Sequence, residues 1–566
     1  MNKTKRTYIP AELKIDFETL QSFYEELLNR KIESVADLEK WMRDRSELEA
    51  ALEEDLAWRY IKMTCDTTNE ALRKDFEYFA TEIEPKIAPY SDKLNRNLFE
   101  SPVKDQLDQE KYAIYLRSIE KDIRLFREEN IPLFSQLQVT QQKYGAITGA
   151  MTVEVDEKEY TMQQAGNFLK SNRRELRKEA FEKLGNRRLQ DSLELDELFD
   201  RLLDLRHQVA LNAGYENYRD YAFAAMGRFD YTPEDCFRFH QAIEREIVPL
   251  LRVEAEKRKR ALGLDRLRPW DMEVDPSGKE ALKPFQGGNE LTDKSIECFS
   301  RLDPYFGMCL RTMKEQGLLD LESRKGKAPG GYNYPLSETG MPFIFMNSAD
   351  SMRDLTTMMH EGGHAVHTFL TAELELNAFR NLTPEIAELA SMSMELLSMQ
   401  HWDHFFTRED DLRRAKSEQL HDILKTLPWV ATIDAFQHWL YTNPGHSRET
   451  RRQAWLDLFE RFGGGFSDWA GYESFQENLW QKQLHLYEVP FYYIEYGMAQ
   501  LGAIAVWKNF RQNPEKAVKQ YIEALKLGYT KPIPEMYRTA GVRFDFSGEY
   551  VRSLAAFVHE ELEKVS

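Results

Sequence analysis

The chain has 566 residues and a formal net charge of −19, with 42% hydrophobic and 30% charged residues. That length exceeds a single simple core, and the composition is that of a globular protein, which excludes wholesale disorder. The acidic balance argues against general nucleic-acid binding and against adhesion to anionic lipid, so no nucleic acid or membrane partner is expected.

No stretch reaches the roughly 18–20 apolar residues needed to span a bilayer. The first residues, Met1 to Tyr8, are basic with no apolar run behind them, and are read as carrying no secretory leader. The four cysteines, Cys65, Cys236, Cys298 and Cys309, form no C-x-x-C pair and no close Cys/His cluster. A cytoplasmic protein with free thiols is the expectation.

In chain order, Phe17 to about Asn97 predicts long helices packed as hairpins, with Leu20, Phe23, Tyr24, Leu27 and Leu28 at helical spacing. Pro85 and Pro89 are expected to interrupt a later helix, and the helical stretch 105–135 to stop near Pro132. Met151–Thr161 reads as a small hairpin. Helix resumes at Met162 and runs, with breaks, to about Ala213, where Gly214 suits a cap. The stretch 264–294, with three prolines and Gly287-Gly288, predicts a surface excursion. Met341 to Asn347 reads as a strand, either an edge that pairs with an extended chain or an ordinary buried strand. Gly463-Gly464-Gly465 lacks the Lys-Ser/Thr of a phosphate loop and reads as a turn or lid.

The segment with definite chemistry is His360-Glu361-Gly362-Gly363-His364. Ser348 and Asp350 are candidate caps for a helix starting near Ser351. On that helix His360 and His364 lie one turn apart on one face, so both imidazoles can hold one metal ion at about 2.0–2.1 Å. Glu361 is placed to take a proton from water there. Two mid-helix glycines cost about 1 kcal/mol each relative to alanine, so the helix needs backbone room beside it.

A catalytic zinc takes three protein ligands. The chain has His367 and Leu370 where a metzincin would need Gly and His, so the third ligand comes from a second helix. Thr383-Pro384-Glu385 reads as a helix start, with Glu385 favoured in the first turn by the dipole. Glu388, Ser391 and Glu395 then form a polar stripe on an otherwise apolar helix, which needs a partner. Glu388 is the candidate third ligand. Ser391 and Glu395 are candidates to orient a ligand imidazole, with a structural ion pair as the alternative for Glu395. His367 lies near the ligand face, either as another such residue or as a satisfied core histidine. Downstream, His485, Tyr492 and Tyr496 offer donors for a developing oxyanion, although aromatic clusters are more often core.

These segments resemble the thimet oligopeptidase superfamily, in its oligoendopeptidase F and Pz-peptidase branch. The carriers are His360 to His367, Pro384 to Met392, Val489 to Tyr496 and Asn212 to Tyr221. The resemblance runs from about residue 140 to the end; the first ~130 residues match only in helical style. It implies a mainly α, two-lobed peptidase with a deep central channel and a small β element near the zinc helix. The N-terminal helical lobe would cover 1–200, with the hairpin near 151–161, and the catalytic region 201–566. It further implies one Zn2+ per chain on His360, His364 and Glu388, Glu361 as general base, and transition-state contacts from His485, Tyr492 and Tyr496. The expected function is a zinc endopeptidase acting on short, unstructured peptides. The alternatives are an exopeptidase that clips C-terminal dipeptides and a non-catalytic helical peptide-binding protein. Oligomeric state is not set by the sequence.

Overall fold

The computed structural model describes residues 6–463 and 465–565. Helices dominate it, and its two sheets are small. The first five long helices are α1 (Phe17–Asn29), α2 (Val35–Cys65), α3 (Glu70–Tyr78), α4 (Glu84–Phe99) and α5 (Gln109–Leu125). Polar side chains start most of them: Asp16, Asn69 and Asp108 accept first-turn N–H bonds, and Ser34 with Asp37 satisfies two donors reciprocally. The apolar faces of α1, α2, α4 and α5 close a core that includes Leu20, Trp41, Leu94 and Tyr112, which Leu376 and Phe379 join from far along the chain.

The prolines act differently from expectation. Pro85 sits in the first turn of α4 and Pro89 within it, while one π turn, Phe79–Ile83, takes up the register before them. Pro132 opens α6 (Ile131–Gly149) instead of ending a helix, because a first-turn residue needs no N–H bond.

The hairpin forms as expected, from β1 (Thr152–Val155) and β2 (Lys158–Thr161), with Asp156 and Glu157 at φ 50° and 62° in its two-residue turn. Helix α7 (Ser192–Asn212) ends at Gly214, whose φ of 84° lets Tyr215 N–H reach Ala210 O at 2.9 Å. Helix α8 (Pro233–Glu246) follows. The irregular stretch 264–286 is no loose excursion, since Trp270, Asp271, Val274 and Phe285 are buried and Asp271 binds Arg174 and Arg177. Gly287 and Gly288 begin α9 (Gly287–Leu302).

The second sheet has three strands in the order β3 (Leu319–Glu322), β5 (Met341–Ser348), β4 (Tyr332–Leu336). β5 runs parallel to β3 and antiparallel to β4. Met341–Asn347 is therefore the buried central strand, and β4 is an outer one. The remaining helices used below are α10 (Met352–Thr371), α11 (Pro384–Ser398), α12 (Glu409–Thr442), α13 (Leu484–Glu488) and α14 (Tyr493–Gln512). Helices α6 to α14, with β5, share the larger of the cores, which extends from Ala57 to Leu562. No helix among the described residues is long and apolar enough to cross a membrane. The Gly463 expectation is met in part: a helix ends there and Gly465 lies in a turn, while Gly464 is outside the described residues.

A candidate metal centre at the floor of a cavity

Helix α10 starts at Ser351, whose hydroxyl and the Asp354 carboxylate cap each other's N–H groups. Ser351, and neither Ser348 nor Asp350, is thus the cap. Helix α11 crosses α10 at Gly363. A Cβ on that glycine would lie 2.6 Å from Ser391 Cα and 2.9 Å from Ala390 O, so only glycine permits the approach. The room that the mid-helix glycines require is the room that brings Glu388 to the two imidazoles.

His360, His364 and Glu388 each place one ligand atom within 4.8 Å of the other two. His360 Nε2 lies 3.3 Å from Glu388 Oε2, and His364 Nε2 lies 3.8 Å from Glu388 Oε1. His360 Nδ1 faces Glu395 Oε1 at 2.8 Å, and Gln419 Nε2 donates to the other oxygen of Glu395 at 2.9 Å. Glu395 thus fixes the His360 ring from behind, so that its Nε2 faces Glu388. Ser391 makes no hydrogen bond to an imidazole among the described residues; its hydroxyl donates to Glu388 Oε2 at 3.1 Å and to the Glu388 carbonyl. His367 is fully buried, lies off the cavity wall and packs toward Leu525, so the structure sets it apart from the cluster. Glu385 lies in the first turn of α11, as expected, and is buried beside Arg228 and Tyr231.

The cluster lies in a cavity of about 370 Å³, lined also by Glu361, Tyr492, Tyr496, β4 and Arg380. Burial, with the charges of Glu388 and Glu395 adding to it against the pull of His360, pushes the Glu361 carboxyl up to about 7. Its Oε2 has no hydrogen-bond partner among the described residues. Burial opposes ionisation of Glu388, yet His364, His360 and Tyr492 hold its carboxyl at about 2. Burial lowers His364 to about 4, whereas Glu388 and Glu395 overcome burial at His360 and hold it well above its ordinary range. Two imidazoles and an ionised carboxylate converging on one point, with an orphaned carboxylate alongside, fit a divalent cation such as zinc.

The aromatic cluster meets the metal residues from α13 and α14. Tyr492 donates to Glu388 Oε1 at 2.6 Å. Tyr496 OH is 2.9 Å from His485 Nε2, and His485 stands behind it. Two residues that the sequence did not single out orient this pair. Trp429 Nε1 can only donate, so the Gln483 atom it meets at 3.1 Å is the carbonyl oxygen. The Gln483 amide nitrogen, 2.8 Å from His485 Nδ1, then donates to it. The proton of neutral His485 therefore sits on Nε2 and points at the Tyr496 oxygen, which frees the Tyr496 hydroxyl hydrogen for the cavity. Burial lowers His485 to about 4 and raises Tyr496 well above 10, so both hold these forms near neutrality. No local motif marks Gln483 or Trp429; only their proximity to His485 in the fold does.

The profile of Peptidase family M3 matches residues 167–556, and that of the Peptidase M3 N-terminal domain matches residues 13–126. An oligoendopeptidase F homolog from Borreliella burgdorferi is 23% identical over 556 residues, covering 94% of this chain and 88% of that protein. Among solved structures, Pz peptidase A with an inhibitor superposes with a TM-score of 0.93 at 26% identity, covering 98% of each chain. A structure assigned as oligoendopeptidase F gives 0.92 at 26% identity, covering 100% of this chain and 99% of the other.

Proposed function

Because the chain belongs to peptidase family M3, and is therefore a metallopeptidase acting on oligopeptides, we propose that it is a zinc-dependent endopeptidase with Glu361 as general base. The observation that carries this is the convergence of His360, His364 and Glu388 in a cavity that also exposes Glu361 and Tyr496. One zinc ion held by those three residues would polarise the scissile carbonyl and acidify water.

The chain's own groups supply the rest. Glu361, with its carboxyl near 7, takes a proton from the attacking water and passes it to the leaving amine. Tyr496, turned outward by His485, donates its hydroxyl hydrogen to the developing oxyanion. Tyr492 first holds the Glu388 carboxylate, which makes it a support for the metal-binding group as well as a neighbour of the oxyanion. β4, an outer strand on the cavity wall, offers its backbone to an extended peptide. Short unstructured peptides suit so narrow a space, and a cytoplasmic setting agrees with four cysteines that form no disulfide.

One observation favours an exopeptidase instead. Arg380 is the sole Arg or Lys on the cavity wall among the described residues, and a dipeptidyl carboxypeptidase needs a cation for the terminal carboxylate. Its guanidinium already donates to the carbonyls of Leu374 and Ser337, which leaves it less free for that task. Mass-spectrometric mapping of cuts in a mixed peptide library, with metal analysis of the same sample, tests the reading. Internal cuts in C-terminally amidated peptides are expected. Release of dipeptides from free C-termini alone would establish the exopeptidase, and absence of any metal-dependent hydrolysis would remove both.

A further inference from the structure

Behind the cavity, α8 and α12 face each other with a second set of metal-competent side chains. Cys236 and His240 stand one turn apart on α8, and Asp434 and His438 one turn apart on α12. None of the four lines the cavity, and all are at least nine-tenths buried. Sequence reading finds no Cys/His cluster here, because its two halves lie about two hundred residues apart.

The ligand atoms of Cys236, Asp434 and His438 lie within 4.8 Å of one another. His240 Nε2 engages Asp434 Oδ2 at 2.8 Å, and Asp434 Oδ1 has no hydrogen-bond partner among the described residues. Neither ring nitrogen of His438 has a hydrogen-bond partner among the described residues; the nearer approach is Nε2 to Asp434 Oδ2 at 3.3 Å. The rings of Phe223, Phe237 and Phe491 pack around His438, so the surroundings are apolar. Unpartnered polar atoms in such surroundings are costly, and three of them gathered beside a thiol call for a common partner.

We propose that these helices hold a second, buried divalent metal ion on Cys236 Sγ, Asp434 Oδ1 and an imidazole nitrogen of His438, with His240 steadying the carboxylate from behind. The mixed thiolate, imidazole and carboxylate set suits zinc or a chemically similar borderline ion. On binding, the Cys236 S–H bond breaks, its proton leaves to solvent, and a sulfur–metal bond replaces it. The dication then meets two negative ligands, so the buried site is neutral overall. The role is structural. The ion staples α12 to α8, and Gln437 beside it on α12 accepts the Phe491 N–H at 2.5 Å, one residue before Tyr492.

The test is cobalt substitution of the full chain with metal counting. The first cluster has no sulfur ligand, so a thiolate-to-cobalt charge-transfer band in the near ultraviolet reports the second alone. We expect two metal equivalents per chain and that band in the wild type. Cys236→Ser should lose the band and one equivalent, and His438→Gln should lose one equivalent with the cysteine intact. His364→Ala should keep the band while losing the other equivalent. A wild type with no thiolate band, or a band that survives Cys236→Ser, overturns the proposal. Either result stands apart from the fate of the catalytic reading, which rests on the metal lost in His364→Ala.

Discussion

Helices α10 and α11 on one side, and α8 and α12 on the other, build two polar clusters by the same rule. In each, one helix supplies two side chains a turn apart and the second adds one more: Glu388 joins His360 and His364 in the first, and Cys236 joins Asp434 and His438 in the second. The outer supports are mirror images: a carboxylate, Glu395, backs the imidazole of His360, and an imidazole, His240, backs the carboxylate of Asp434. What differs is the remaining side. The first cluster opens on a cavity that brings Glu361 and Tyr496 to the same point, and the second is ringed by phenylalanines. Ligand geometry alone therefore does not make a catalyst. An open side, a base and an oxyanion donor do.

The largest effect should come from removing the base while keeping the ligands. Glu361→Gln is expected to lower kcat/KM by about 10⁴-fold with metal content unchanged, which would leave the open cluster a holder of metal, as the sealed one is. Turnover near the wild-type value would refute the assignment of Glu361. Next comes the donor. Tyr496→Phe should cost roughly 10²–10³-fold in kcat, with KM little altered, because the hydroxyl acts on charge that develops only during reaction. A change confined to KM would show that Tyr496 binds substrate and nothing more.

The third effect concerns the support. Glu395→Gln keeps the size of the group that meets His360 Nδ1 but removes its charge, and should weaken metal binding by about 10–100-fold as measured against a competing chelator. Unchanged affinity would make the contact an ordinary ion pair, the alternative that the sequence left open.

What was legible in the sequence follows the range of the interactions. The helical class, the hairpin at Met151–Thr161 and the facing of His360 and His364 depend on residues a few positions apart, and period alone reveals them. Glu388 was within reach because a polar stripe on an apolar helix signals an absent partner. Longer-range facts were not. Met341–Asn347 is central because β3 and β4, neither of them singled out, flank it. Ser391 turns to Glu388 and not to an imidazole because of where α10 crosses α11. His367 shares a helix with the ligands yet faces α10's other neighbours, which spacing alone does not show. Pro132 reads equally as a stop or a start until the preceding helix is seen to end at Leu125, with one 3-10 turn, Glu128–Asn130, between the two.

The smallest effect tests the longest of these unread chains, from Trp429 through Gln483 and His485 to Tyr496. Gln483→Glu keeps an acceptor for Trp429 but turns the group facing His485 Nδ1 from a donor into an anionic acceptor. Nδ1 should gain a proton, and the His485 pKa should rise from about 4 to above its ordinary 6.5. The contribution to stability then changes sign. In the wild type the unfolded chain binds a proton between pH 6.5 and 4 that folded His485 refuses, so stability falls as pH falls through that window. In the variant the folded form holds the proton more tightly, so its contribution is present below 6.5 and is lost as pH rises through the raised pKa. Nε2 still donates to Tyr496 in both, so kcat at neutral pH should drop only severalfold. Nitrogen chemical shifts of the His485 ring across the titration decide it. A ring that stays neutral, with its proton on Nε2, throughout the range in the variant would show that Gln483 does not set the form of His485.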